Sequence, residues 1–145
     1  MKFVLDTDVV VAAMRSPTGA SAALLFAAID GDITIAANVA LMLEYESTCS
    51  RAAHMRAAGL NQQKLGVFLD AIAALVVPVE THFLWRPQLR DPGDEMVLEA
   101  AVNGQAQAIV TFNTKDFGAA PAKFGVKILL PREALQRLRK QKGQS

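Results

Sequence analysis

The chain has 145 residues, of which 52% are hydrophobic, and its formal net charge is +1. This length is enough to bury a core, so we expect residues 1–145 to form a single domain. No apolar run reaches the roughly 18 residues that a membrane span needs, and the lone cysteine, Cys49, excludes an internal disulfide and a cluster of metal-binding thiols. The charge of Asp6 comes too early for the apolar segment of a signal peptide, so we expect a cytoplasmic protein without membrane contact.

Short apolar runs alternate with helical patterns along the whole chain. Runs rich in β-branched residues predict five strands, at 2–5, 33–35, 76–79, 108–111 and 126–130. Apolar spacing and capping residues predict helices at 9–14, 21–29, 39–51, 62–75 and 95–103, and a last helix from 131 onward. Pro78 cannot donate a backbone hydrogen bond, which places the third strand near an edge of the sheet. Residues 81–90 are predicted to be irregular.

This alternation predicts an α/β fold. We expect a three-layer α/β/α domain with a central parallel sheet of about five strands, joined by right-handed crossovers and covered by helices on both faces. In such a sheet, ligands bind beyond the carboxyl ends of the strands, at the point where the strand order reverses. Candidate functional residues should therefore follow the strands directly.

Acidic residues occupy such positions. Asp6 and Asp8 follow the first strand, and Asp116 lies in the loop after the fourth. Three more acids stand at the start of the helix that leads to the fourth strand: Asp91, Asp94 and Glu95. Turn and capping chemistry alone explains these three. Asp6 is different, because a charge that abuts a buried strand must be solvated, paired or bound to a metal.

Glu44 is a second informative carboxylate. It lies among apolar residues of a predicted helix, and Glu46 points roughly 200° away around the helix axis, so one of the two can face inward. Carboxylates that are brought together repel one another unless a divalent cation neutralises them. Hard oxygen ligands suit Mg²⁺ or Mn²⁺, and the sequence has no Cys or His cluster that indicates zinc.

Other chemically interesting residues have simpler interpretations. The cation-rich segment 132–142 either holds a phosphate backbone or is a solvated helix end, and we favour the second. His54 and His82 match no metal-ligand spacing, so we expect structural roles. Cys49 is expected to be a small buried residue. Trp85 could stack on a base, but we expect it to pack within the irregular segment.

Four short motifs occur in series: VLDTDV at 4–9, LEYE at 43–46, RDPGDE at 90–95 and TFNTKDF at 111–117. Together, in this order and at these spacings, they resemble the PIN-domain family, and specifically the VapC-like toxins of type II toxin–antitoxin systems. The segment PRE at 131–133 falls where the last helix of that family begins.

The resemblance implies a metal-dependent endoribonuclease whose carboxylates hold one or two divalent cations, Mg²⁺ or Mn²⁺. The positions that match the family's motifs imply that the catalytic and metal-binding residues are Asp6, Glu44, Asp94 and Asp116. The polar residues that would support the metal, its waters or the scissile phosphate are Thr7, Thr111 and Asn113. An RNA substrate, a homodimer and a cognate antitoxin protein are implied as well. Metal-activated water would hydrolyse the phosphodiester bond without a covalent nucleophile.

Two positions bear on this assignment. The family commonly has asparagine where this chain has Asp8, which either strengthens metal binding or points away and caps the following helix; we favour the cap. The third motif offers Asp94 and Glu95 side by side. Adjacent residues at a helix start point in different directions, so we expect one primary ligand and choose Asp94. Asp91 is a further uncertain member of the site.

Two other functions remain open. The segment DTDVV after a strand also fits the nucleophile motif of haloacid-dehalogenase-like phosphatases, with Asp6 phosphorylated and Asp8 as general acid–base. The downstream acidic pair of such enzymes is missing, because Asp91 and Asp94 precede Thr111, which would stand in the second motif. The non-enzymatic alternative is a PIN-like module that only binds RNA or protein, although every acidic motif position is filled.

Overall fold

The computed structural model describes residues 1–81, 89 and 91–143. Its sheet contains β1 (Lys2–Leu5), β2 (Thr34–Ala37), β3 (Val77–Pro78), β4 (Ala108–Val110) and β5 (Lys127–Leu129). The helices of the described part are α1 (Thr7–Arg15), α2 (Ala20–Ile29), α3 (Val39–Cys49), α4 (Ala52–Ala58), α5 (Gln62–Leu75), α6 (Pro92–Asn103), α7 (Ala120–Lys123) and α8 (Pro131–Gly143). A 3₁₀ turn, Thr114–Phe117, follows β4.

Neighbouring strands are all parallel, in the order β3-β2-β1-β4-β5. Phe3 of β1 lies opposite Ile35 of β2 on one side and Ala108 of β4 on the other. The chain adds β2 and β3 on one side of β1 and later adds β4 and β5 on the other, so the strand order reverses between β1 and β4. The predicted parallel five-stranded sheet is confirmed, and β3 lies at an edge, as Pro78 indicated.

Helices cover the sheet to form the expected three-layer α/β/α fold. Helix α6 packs on β1, β2 and β4, whereas α1 packs on α2 and α3, and α2 packs on α8. Val4 and Ile109, at the centres of β1 and β4, are completely buried. Strands that are buried on both faces need continuous apolar sequence, which is why these runs do not alternate with polar residues.

Several helix boundaries differ from the predictions for local reasons. The helix predicted at 39–51 ends at Cys49, because Arg51 is extended (φ −65°, ψ 134°) and precedes a separate helix, α4. The helix predicted from 95 begins at Pro92, a residue whose fixed φ suits the first helical turn. Helix α4, helix α7 and the 3₁₀ turn were not predicted, since such short elements carry too little apolar periodicity.

Part of the segment predicted to be irregular lies outside the described residues, including His82, Trp85 and Arg86. Among the helices of the described part, no single one is long and apolar enough to cross a membrane. Helices α1 and α2 meet that length and composition criterion only as a pair, which is bent by 96°.

Candidate active site

Asp6 stands where the strand order reverses. Its backbone N–H donates to the carbonyl of Val110 at 2.9 Å, which joins the carboxyl ends of β1 and β4. Its side chain is the N-cap of α1: Oδ1 accepts from the Thr7 N–H at 2.8 Å, and Oδ2 accepts from the hydroxyl of Thr111 at 2.7 Å. Thr111 is completely buried. Both oxygens of Asp6 are therefore oriented by groups of the fold, close to the position that the sequence predicted.

Tyr45 of α3 holds the carboxyl end of β1. Its hydroxyl donates to the carbonyl of Leu5, the residue before Asp6. The ring is 1% exposed, and burial, followed by the negative charge of Asp6, raises the pKa of Tyr45 well above its usual value. No role was assigned to Tyr45 from the sequence. Its polar tip on a buried helix face was the available signal, because a buried hydroxyl needs a partner.

Asp8 faces the same edge of the sheet. Its Oδ2 accepts from the backbone N–H of Phe112 at 3.0 Å and from the side-chain amide of Asn113 at 3.2 Å. Burial, followed by the charge of Asp6, raises the pKa of Asp8 to about 6. The expectation that Asp8 points away and caps the helix was wrong. Asp6, with an extended backbone, takes the cap position, which leaves Asp8 inside the first turn of α1.

Asp94 approaches this group from the start of α6. The helix is capped by Asp91, whose Oδ1 accepts from the Gly93 N–H at 2.7 Å. Burial, followed by the charges of Asp91, Asp6, Asp116 and Asp8 in that order, raises the pKa of Asp94 to about 6. The charges that act on Asp94 thus come from three separate segments of the sequence, which shows that the fold gathers the aspartates.

Glu95 has a different environment from that of its neighbour. It is 3% exposed, and its carboxylate accepts a hydrogen bond from the backbone N–H of Leu89. Successive helical residues point about 100° apart, so Asp94 and Glu95 cannot both face the aspartates. Glu95 helps to hold the chain before α6, and Asp94 is the member of the pair that faces the site.

Two clefts lie beside the aspartates: Asp94 and Asp116 line one, and Asp8 lines the other. The first, the Asp94 cleft, has a volume of about 630 Å³ and includes Asp91, Asp94, Asp116, Lys115 and Lys123 in its lining. The second, the Arg51 cleft, has a volume of about 580 Å³ and includes Thr7, Asp8, Arg15, Glu44, Thr48, Arg51, His54 and Phe112 in its lining. Glu44 therefore lies on the Asp8 side of the site, where its Oε1 accepts from the hydroxyl of Thr48 at 3.2 Å.

The aspartates fit a divalent cation in chemistry and charge. The pKa values of Asp6, Asp8 and Asp94 are all raised, first by burial and then by one another or by neighbouring aspartates. Asp8 Oδ1 is buried and has no hydrogen-bond partner within the described part of the chain. Over the same residues, no three His, Cys, Asp or Glu side chains form a ready metal cluster. The donors match Mg²⁺ or Mn²⁺, and their side chains would have to turn toward a shared ion.

The cation-rich end of the chain lies away from this site. Helix α8 starts near the carboxyl edge of the sheet and runs toward the amino edge, where Arg137 lies beside Met1 and Gln107. Lys142 Nζ is 2.9 Å from Asp32 Oδ2, just before β2. This placement agrees with a solvated, partly paired helix end. Among the described residues, the cations that line the two clefts come from other elements, and no role was assigned to them from the sequence: Arg15, Arg51, Lys115 and Lys123.

Cys49 is completely buried with a free thiol, as predicted. Burial raises its pKa to about 11, so the thiol stays protonated at neutral pH. His54 lies at the Arg51 cleft rather than in the core, and its Nδ1 is buried without a hydrogen-bond partner among the described residues. The histidine, not the cysteine, is therefore the group with unused polar capacity near the site.

Comparison with protein families agrees with this geometry. A family model described as "PIN domain" matches residues 2–115. The chain belongs to the PIN domain family. PIN domains are generally nucleases and generally use divalent metals. This membership argues against the dehalogenase-like phosphatase alternative, which uses the same Asp6 as a nucleophile.

One solved structure shows the same fold as this PIN domain. It is a chain in the crystal structure of VapBC2 from Rickettsia felis bound to a DNA fragment from their promoter. The two chains are 17% identical and superpose with a TM-score of 0.63, over 88% of this chain and 97% of the other. No curated protein sequence matches the chain.

Proposed function

We propose that this PIN domain is a metal-dependent endoribonuclease. The observation that carries the proposal is the gathering of aspartates at the reversal point of the strand order. Thr111 and Phe112, which follow β4, hydrogen-bond Asp6 and Asp8, and the charge of Asp6 raises the pKa values of Asp8 and Asp94. Burying like charges together costs folding free energy. Such an arrangement is typical of sites that bind a cation and perform chemistry.

In this proposal Asp6, Asp94 and Asp116 hold Mg²⁺ or Mn²⁺, and Glu44 completes the set from the Arg51 cleft. The ion supplies a Lewis acid that makes water more acidic and stabilises negative charge on a phosphate. Thr7 and Thr111 orient the carboxylate of Asp6 through hydrogen bonds of 2.8 and 2.7 Å.

Asn113 orients Asp8, the second aspartate after β1. Its side-chain amide donates to Asp8 at 3.2 Å, while its backbone N–H donates to the Thr111 hydroxyl at 3.0 Å. One short loop thereby fixes both carboxylates. Asp8 adds a negative charge to the cation site, and Asp91 and Glu95 have structural roles before and at the start of α6.

RNA cleavage by the purified protein tests this function. We expect a fluorescent single-stranded RNA to be cut in Mn²⁺ but not in EDTA, and the Asp94→Asn variant to lose activity in Mn²⁺. Asp30→Asn is the matched control, because Asp30 is an exposed aspartate that follows α2. Equal cleavage in Mn²⁺ and EDTA, or full activity of Asp94→Asn, would contradict the proposal.

We further propose that the protein is the toxin of a toxin–antitoxin pair, acts in the cytoplasm as a single domain, and is inhibited by a cognate antitoxin protein. The similarity in fold to a chain of the VapBC2 complex supports the partner. The lone, buried cysteine suits a reducing compartment. Coexpression with the product of the neighbouring gene, followed by copurification and loss of RNA cleavage, tests the pairing.

A homodimer is the proposed assembly. Apolar side chains on α3 and α5 remain exposed in the single chain: Val39 at 75%, Leu43 at 60% and Val67 at 67%. Exposed apolar patches of this kind are typical of protein interfaces. Light scattering should give twice the chain mass for the wild type and a smaller mass for Leu43→Lys. Ile29→Lys, on α2, is the matched control, since Ile29 is 63% exposed.

A further inference from the structure

The Arg51 cleft contains groups that metal binding does not require. Besides Asp8 and Glu44, it is lined by Arg15, Arg51, His54 and the ring of Phe112. These groups come from α1, α4 and the loop after β4, so the fold and not a local motif brings them together. They combine an aromatic surface, two permanent cations and an imidazole beside the aspartates.

Phe112 is held in place although its ring is exposed. Its backbone N–H donates to Asp8 Oδ2 at 3.0 Å, and its neighbour Thr111 is completely buried. The side chain is nevertheless 48% exposed. An exposed aromatic side chain on a backbone that is held in place is a suitable surface for stacking a flat, unpaired base.

Arg15 and Arg51 provide positive charge in the same cleft. Arg15 is in the last turn of α1, and Arg51 precedes α4; both are exposed and line the cleft. Arginine is suited to phosphate because its guanidinium donates two hydrogen bonds to two phosphate oxygens. His54 Nδ1, buried and without a partner among the described residues, adds a polar atom that needs a hydrogen bond.

We propose that the Arg51 cleft binds one unpaired nucleotide of the RNA next to the scissile phosphate, with the base stacked on Phe112 and the backbone phosphates on Arg15 and Arg51. This inference rests on the proposed ribonuclease function. His54 lines the same cleft. A base in a duplex cannot present its face to a protein ring, so the cleft selects single-stranded RNA or loops.

RNA binding in EDTA tests the cleft separately from cleavage. Fluorescence anisotropy with a short labelled single-stranded RNA should show about tenfold weaker binding for Phe112→Ala. Phe112→Trp should bind as well as the wild type or better, because it keeps a stacking surface. Phe26→Ala is the matched control, since Phe26 is 57% exposed on α2, outside this cleft, and should leave binding unchanged.

An RNA with a single abasic position gives a stricter version of the test. If Phe112 stacks on a base, one abasic position should weaken binding to the wild type about as much as Phe112→Ala weakens binding to the intact RNA. The variant should lose nothing further with that abasic RNA. Additive losses at every abasic position would contradict stacking by Phe112.

The salt dependence of binding tests the arginines. Arg51→Gln should weaken binding and lower the slope of log K against log salt by about 0.7, the value for one phosphate contact on a single strand. Arg139→Gln, an exposed arginine in the second half of α8, is the control and should leave the slope unchanged.

The two proposals fail in different ways. If the wild type cuts RNA and Phe112→Ala binds RNA equally well, the cleft inference is overturned while the nuclease stands. If the wild type binds RNA through Phe112 but cuts none in Mn²⁺, the cleft stands and the nuclease fails. If Phe112→Ala binds RNA as well as the wild type but no longer binds a partner protein, the cleft is a protein-binding site and the inference is overturned.

Discussion

At the carboxyl edge of the sheet, the charge of Asp6 raises the pKa values of Asp8 and Asp94, whereas at the amino edge Lys142 pairs with Asp32 at 2.9 Å. The first edge gathers like charges and buries them partly. The second places opposite charges together at the surface, with side-chain exposures of 59% for Lys142 and 31% for Asp32.

The two edges therefore differ in role: the charges at the carboxyl edge serve function, and those at the amino edge serve the fold. An exposed pair of opposite charges contributes little to stability, but it costs little to form. A partly buried group of aspartates opposes folding unless a cation or a proton neutralises it. The fold retains this unfavourable group at the reversal point of the strand order, where a parallel sheet binds its ligands.

The largest expected effect comes from Asp6→Asn. Loss of this carboxylate should lower Mn²⁺-dependent RNA cleavage more than about a hundredfold, because an electrostatic interaction with the cation is worth several kcal/mol. The same change at the other edge, Asp32→Asn, should leave cleavage at the wild-type rate. The cleavage rates of the two variants and of the wild type are to be measured under identical conditions. Similar losses in both variants would mean that the two edges do not differ in function.

A smaller effect is expected for Thr111→Val, which keeps the shape of a fully buried side chain but removes its hydrogen bond to Asp6. Cleavage should fall about tenfold, as for groups that orient a metal ligand. The Thr111 hydrogen bond lowers the pKa of Asp6, so its loss should move the acidic limb of the pH–rate profile to higher pH. A loss of rate without that shift would indicate a purely structural role.

The stability of the metal-free protein should depend on pH. The pKa values of Asp8 and Asp94 rise from 3.8 to about 6 on folding, so the folded state holds more protons between these values. Stability is therefore greatest below the unfolded value and falls as pH rises toward and through about 6. Thermal unfolding should show a melting temperature several degrees lower at neutral pH than near pH 4.

Two controls sharpen this measurement. Asp8→Asn removes one of the repelling charges and should reduce the pH dependence. Added Mn²⁺ should raise the melting temperature at neutral pH but not under acidic conditions, where protons already neutralise the aspartates. A melting temperature that rises steadily with pH in the metal-free protein would contradict the electrostatic description of the site.

The smallest expected effect belongs to the amino edge. Lys142→Gln should lower the free energy of unfolding by no more than about 1 kcal/mol, as for exposed ion pairs. Urea denaturation measures this change, and cleavage should be unaffected. A much larger loss would show that the end of α8 contributes to stability through more than its charge.

Much of the fold and part of the site were predictable from the sequence. The five strands followed from apolar runs, their parallel arrangement from the alternation of strands with helices, and the edge position of β3 from Pro78. The placement of Asp6 followed from its position directly after β1. Helix α4 and the end of α3 were missed, because a single change of backbone conformation at Arg51 separates them.

The sequence by itself determined that an acid follows a buried strand and that the sheet is parallel, since periodicity and strand composition are local properties. Only the tertiary structure decided that Asp8 faces the loop after β4, because its partner Phe112 lies 104 residues away. It also decided that Asp94 and not Glu95 faces the aspartates, and that Arg137 and Lys142 of α8 lie at the opposite edge. The direction of a side chain depends on the phase of its helix and on what packs against it, and distant parts of the chain supply those contacts.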